Sequence, residues 1–143
     1  VNNSHQIIKL YKANKETKQM DPMESLELQL GGVIGDKYFG REDREVLISS
    51  ITGYQLALEH GISMKYGTLG ENILTNIQLS NLSIGDKLQI RDVTLEISML
   101  CPVCTHLATI EKKLPKLIKN DRGIFAKVIQ GGEITMNDTI KLL

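Results

Sequence analysis

Apolar and polar positions alternate over several short runs of the chain. Leu26, Leu28 and Leu30 are separated by Glu27 and Gln29, and Val93, Leu95 and Ile97 by Thr94 and Glu96. A period of two puts one face of a strand in a core and the other in water. The opening HQIIKLYK reads as a strand by its Ile, Leu and Tyr content, and VLISS at 46–50 as a short buried one. Ile73-Leu74-Thr75 re-enters a strand after the turn marked by Gly67 and Gly70. The run IQLSNLSIGDKLQI predicts short strands, and Arg91-Asp92 turns its last one back into VTLEISM as a hairpin. Arg122 to Ile129 is a further strand, Gly131-Gly132 and Asn137-Asp138 turn the chain, and TIKLL closes it as a final strand.

Two stretches follow a helical spacing instead. In ITGYQLALEHG the residues Tyr54, Leu56, Ala57 and Leu58 share a helical pattern, with Gly61 as a stop and His60 as a favourable charge at the helix C-terminus. Val103 to Ile118 looks helical from Leu107, Ile110 and Leu114, with Pro115 interrupting it and Lys112, Lys113 and Lys116 on a wet face. The segment ANKETKQMDPM reads as a polar turn. Six to eight short strands with few helices and no βαβ alternation predict a mainly β fold, a closed or nearly closed barrel. A length of 143 residues suits one domain spanning 1–143.

Composition narrows the function classes. Seventeen basic residues balance seventeen acidic ones, which removes the general electrostatic attraction that nucleic-acid binders use. No apolar run reaches the roughly 18 residues of a membrane span, and the start lacks the order of a secretory signal, so a cytoplasmic location is expected. Oligomeric state is not legible.

The chemistry concentrates in MLCPVCTHL, residues 99–107, which holds both cysteines in one Cys-x-x-Cys, Cys101 and Cys104. A thiolate is a strong nucleophile and a soft metal ligand. The spacing also suits a thiol redox pair, although the βαβ setting of thioredoxin-like motifs is absent. Structural zinc would need two more ligands, and His5, His60 and His106 are the three histidines of the chain. Cys104 leads into the helical stretch, where a helix N-terminus can stabilise a thiolate, so the two cysteines should be unequal. Four glycines lie between Gly31 and Gly40. They allow close backbone approach to a ligand, or simply form turns. They are not a phosphate loop, since no Lys-Ser/Thr pair follows.

In order along the chain come Gly-Val-Ile-Gly-Asp at 32–36, Arg44 before an apolar strand, Gly70-Glu71-Asn72, Ile84-Gly85-Asp86, a cysteine after a proline-containing turn, Arg122-Gly123 and Gly131-Gly132. This series resembles the MOSC domain, named for the C-terminal domain of molybdenum cofactor sulfurases. The resemblance implies a mainly β barrel of the pyruvate-kinase-barrel type with a few short helices. It also implies a protein linked to the molybdenum pterin cofactor, with Cys104 as metal ligand or sulfur carrier and therefore the catalytic candidate. Arg44 and Arg122 then become candidates for contacts to the cofactor's phosphate, with Asp36, Glu71 and Asn72 orienting polar groups around it.

The sequence departs from the family pattern in three places: Tyr38 stands where many members have histidine, no arginine accompanies Pro102 before the cysteine, and Asn137-Asp138 replaces a common Gly-Asp. The implied activities are molybdenum-dependent reduction of N-hydroxylated or similar compounds, or sulfur transfer. The alternatives are a non-enzymatic carrier that docks on a molybdoenzyme or cofactor-synthesis protein, and a Cys-x-x-Cys redox protein. Pyridoxal phosphate is not expected in this domain.

Overall fold

The computed structural model describes residues 4–102 and 106–143. Its frame is a ring of seven strands. β1 (His5–Ala13), β5 (Val46–Ser50), β6 (Ile73–Thr75), β7 (Lys87–Ile90), β8 (Val93–Leu100), β9 (Ile124–Gln130) and β11 (Thr139–Leu142) pair in the order β11-β7-β8-β9-β5-β6-β1. The pairing of β1 with β11, with His5 opposite Ile140, closes the ring. A closed ring leaves no open edge among its members, which removes the row of unpaired N–H and C=O groups that an edge strand carries.

β2 (Met20–Met23) adds to the outside of β1, with Pro22 opposite Tyr11. The polar turn read from MDPM is therefore an edge strand, a position where proline's missing N–H can be accommodated. β3 (Ser25–Gln29), β4 (Gly32–Val33) and β10 (Gly132–Thr135) form a second, three-stranded sheet. Leu26 and Leu28 of β3 turn inward and Glu27 and Gln29 outward, as their alternation requires.

The hairpin of β7 and β8 pairs Ile90 with Val93 across Arg91-Asp92, and Arg91 takes a positive φ of 53° to make the turn. Leu88, Ile90, Val93, Leu95 and Ile97 are buried from it in the barrel core, where they meet Ile7, Val46, Ile48, Ile73, Ala126 and Val128. Burying side chains of this size is worth about 1.5–3 kcal/mol each against leaving them in water.

Residues 77–83 depart from the expected strands. They form a 3₁₀ turn at Leu79–Asn81, whose three-residue repeat lets Leu79 and Leu82 both reach the core.

β5 and β6 are parallel neighbours joined through α1 (Ile51–Glu59), the one parallel pair among the described strands. This βαβ unit was not foreseen from the alternation. The Ser50 hydroxyl caps α1 by accepting from the Thr52 N–H at 3.2 Å. The second helical stretch is split into α2 (His106–Ile110) and α3 (Leu114–Leu117), and Pro115 lies in the first turn of α3. Proline there opens a helix, because its fixed φ suits that turn and no N–H is needed. Tyr54, Ala57, Leu69, Leu74, Leu107, Leu114 and Ile118 pack together as a second cluster that seats the helices on the barrel. None of the described helices is long and apolar enough to cross a membrane.

Candidate functional site

A cleft of about 460 Å³ opens where four segments meet. Tyr38, Arg41 and Arg44 come from the loop before β5, Gly67 to Gly70 and Asn72 from the approach to β6, Cys101 and Pro102 from the end of β8, and Arg122 and Phe125 from the start of β9. Lys18 adds a cation from the turn between β1 and β2. The three stretches singled out in the sequence thus meet at one place: the glycine loop, Gly70-Glu71-Asn72 and the cysteine segment.

Close backbone contacts explain several of the residue types. A Cβ at Gly53 would lie 2.7 Å from the Asp121 carbonyl oxygen, so glycine is needed for α1 to press against the residue before Arg122. Gly123 has a φ of +146°, and a Cβ there would meet the Ile48 carbonyl at 3.1 Å. Its own carbonyl accepts from the Cys101 N–H at 3.0 Å. Arg122 and Cys101 are thereby fixed beside one another at adjoining strand ends.

The two carboxylates among the predicted residues, Asp36 and Glu71, are fully buried. Asp36 accepts from the Ala13 N–H at 2.6 Å, the Asn72 amide at 3.0 Å and the Tyr38 N–H at 3.0 Å. Charge-assisted bonds of this kind are strong when water is excluded. Asn72 is also buried: its Oδ1 accepts from the Leu47 N–H at 3.0 Å, and its Nδ2 also donates to the Tyr11 carbonyl at 3.2 Å. Glu71 takes the Tyr54 hydroxyl at 2.7 Å on Oε2 and 3.0 Å on Oε1. Burial, reinforced by the neighbouring Glu71, pushes the Tyr54 pKa far above its ordinary value, so Tyr54 stays a donor at neutral pH. Burial, then Glu71 and Tyr66, raises Tyr11 in the same direction.

The cations are placed differently. Arg41 and Lys37 each lie 5.1 Å from the centre of the Tyr38 ring, and Arg44 lies 5.6 Å from that of Phe125. Contact with an aromatic face holds a guanidinium without neutralising it. Arg122 is buried and donates through Nη1 to the Leu69 carbonyl at 2.8 Å. Lys18, Arg41, Arg44 and Arg122 make four cations in the lining, and no carboxylate lines the cleft among the described residues.

A model of the MOSC domain matches residues 35–141. The chain belongs to the MOSC domain family. MOSC domains are associated with molybdenum-cofactor-related function. The fold is shared with the YuaD protein from Bacillus subtilis, at a TM-score of 0.80 and 22% identity over 96% of this chain and 94% of that one. YiiM from Geobacillus stearothermophilus superposes at 0.76 with 18% identity, covering 97% and 75% of the two chains. YiiM from Escherichia coli does so at 0.75 with 20% identity, covering 97% and 69%. At these identities the likeness is one of fold. A comparison with curated proteins found no match.

Within this MOSC domain Arg44, Asn72 and Arg122 line the cleft, while Asp36 and Glu71 are buried and bind the loops that line it. Cys104 lies outside the described residues. Its neighbour in the motif, Cys101, lines the cleft. Sequence reasoning missed Lys18, Arg41, Tyr54 and Phe125. Lys18 and Arg41 sit in irregular loops without periodicity, and Tyr54 reads as a core residue of a helix. The sequence signal for Arg41 was its place three residues from Tyr38 in a glycine-rich loop.

Proposed function

We propose that the cleft binds the molybdenum pterin cofactor through its anionic part, with Cys104 supplying the thiolate beside it. The observation that carries this reading is the lining itself: four cations and two aromatic rings, Tyr38 and Phe125, with no carboxylate among the described residues. A planar, phosphorylated heterocycle offers what such a lining lacks, a negative charge and a flat face. The donor set agrees. No three His, Cys, Asp or Glu residues cluster to hold a metal ion among the described residues, so the protein would hold the group through its organic part and one thiolate rather than in a cage of side chains.

Arg44, Arg122 and Lys18 would hold the phosphate, while Asn72, through its bonds to Asp36 and Tyr11, would keep the segments around them in register. Asp36 and Glu71 keep those loops in place from inside the protein. When bound, the cofactor supplies a redox-active molybdenum, and N-hydroxylated compounds are the substrate class for that activity.

Metal and pterin analysis tests the reading. Protein made in a host that synthesises the cofactor should carry molybdenum and an oxidisable, fluorescent pterin, and protein from a host without pterin synthesis should carry neither. A second reading is sulfur carriage. Because Cys101 lines the same cleft, a persulfide on that residue would sit among the cations. Whole-protein mass shifts of one or two sulfur atoms on Cys104, without molybdenum, would favour the carrier. Reversible loss of two hydrogens would favour the redox pair.

A further inference from the structure

Arg122 is an unusual cation. The residue is only 8% exposed, and its Nε–H is buried with no acceptor among the described residues. An enclosed charged donor without a partner is costly. Among the described residues Nη1 donates to the Leu69 carbonyl, which fixes one corner of the guanidinium and leaves the Nε side uncommitted.

Leu69 is held in turn. The Leu69 N–H and the Gly67 N–H both donate to the Tyr54 hydroxyl oxygen, at 3.2 and 3.1 Å. That hydroxyl donates its own proton to Glu71, and Gly67 N–H also reaches Glu71 Oε2 at 3.4 Å. A carboxylate, a phenol, a tight loop and a guanidinium therefore form one hydrogen-bonded series. α1 supports both of its ends, since Gly53 packs on Asp121 beside Arg122 and Tyr54 follows Gly53 directly.

We propose that Tyr54 and Glu71 are positioning residues that hold Arg122, through the Leu69 carbonyl, as the oxyanion-recognition group of the cleft. This rests on the reading of the cleft as an anion site and adds the atoms that do the recognising. The ligand class is a tetrahedral oxyanion, a phosphate ester or a free oxyanion such as molybdate. Its oxygens accept from Nε and the adjoining guanidinium nitrogen after a small turn of the guanidinium about the Leu69 anchor. The fork geometry of arginine is required, and a lysine point charge does not replace it. Glu71 stays within the protein and does not touch ligand.

The test uses purified protein and inorganic phosphate, with calorimetry for affinity and ¹H–¹⁵N spectra for the arginine Nε–H signals. Phosphate should shift the Arg122 Nε–H resonance, assigned by its loss in Arg122→Lys, and that variant should bind phosphate at least about tenfold more weakly. Tyr54→Phe should move the same resonance before any phosphate is added and weaken binding about tenfold. Tyr66→Phe removes a nearby hydroxyl from a ring packed edge-on against Tyr54 and should do neither. If Tyr54→Phe does not fold, Glu71→Gln serves in its place.

An unmoved Arg122 resonance at saturating phosphate, no phosphate binding by wild type, or wild-type affinity in a folded Tyr54→Phe would each overturn the proposal. Cofactor binding is judged separately, by the molybdenum and pterin carried by the protein, so either reading can fail while the other stands.

Discussion

The side-chain amide of Asn72 donates to Asp36 Oδ1 over 3.0 Å, and this bond ties the glycine loop of residues 31–40 to the segment that enters β6. Asn72 uses its other amide positions on Leu47 and Tyr11, so one buried side chain joins β1, β5 and both loops that line the cleft. Asn72→Asp would set a second carboxylate against Asp36 and delete two donations. Urea denaturation should show a loss of about 2–4 kcal/mol. A loss within experimental error would mean that the joint does not hold these loops together.

Gly131 sits against the Leu28 backbone, where an added Cβ would collide with the Leu28 carbonyl and the Gln29 Cα. Neither atom can move without disturbing the pairing of β3 with β10. Gly131→Ala should cost about 1–3 kcal/mol. Gly61 has a positive φ of +80° but open space around it, so Gly61→Ala should cost only about 1 kcal/mol from backbone strain. Chemical denaturation of the two variants side by side checks the order.

Tyr54 gives a pH signature. Its folded-state pKa is raised by burial and then by Glu71, whereas in the unfolded chain it ionises near about 10. Above that pH the unfolded state releases a proton that the folded state keeps, so stability is complete below about 10 and falls as pH rises further. Tyr11 adds to the same trend. Stability measured in urea from neutral pH into the alkaline range should fall for wild type and fall less steeply for Tyr54→Phe. Parallel curves would contradict the assignment.

Arg44 is exposed on the face of Phe125, unlike buried Arg122. The Debye length shrinks from about 10 Å at 0.1 M salt to about 3 Å at 1 M. Arg44→Gln should therefore weaken pyrophosphate binding severalfold at low salt and hardly at high salt, while Arg122→Gln should weaken it at both. Calorimetry at two salt concentrations makes the comparison, and an equal salt dependence for the two variants would count against it.

The β architecture was legible in the sequence where each strand has one wet face. Leu26-Leu28 and the run from Leu88 to Ile97 alternate because their outward residues meet water. The parallel pair of β5 and β6 was not legible as such, since both strands are buried at every position and carry no alternation. Leu79 and Leu82 resemble strand residues until the 3₁₀ turn shows how a spacing of three also buries them. At the cleft, Arg44 and Arg122 were anticipated through the resemblance to the MOSC domain, which implies a phosphate-bearing cofactor in need of cations. Asp36 and Glu71 were singled out, but their burial and backbone partners depend on contacts between segments far apart in the chain, as does the service of Tyr54, a residue of helical periodicity, to the loop of Gly67 and Leu69.

The cationic cleft as the seat of the molybdenum pterin cofactor is tested most directly by the molybdenum-to-protein ratio of wild type against Arg44→Gln combined with Arg122→Gln. Both should be made in the same cofactor-competent host and shown to be folded by their melting transitions. Molybdenum and pterin together in wild type, with both reduced at least about tenfold in the double variant, is the expected result. Wild-type protein free of both, or a folded double variant that keeps the full content, would contradict it.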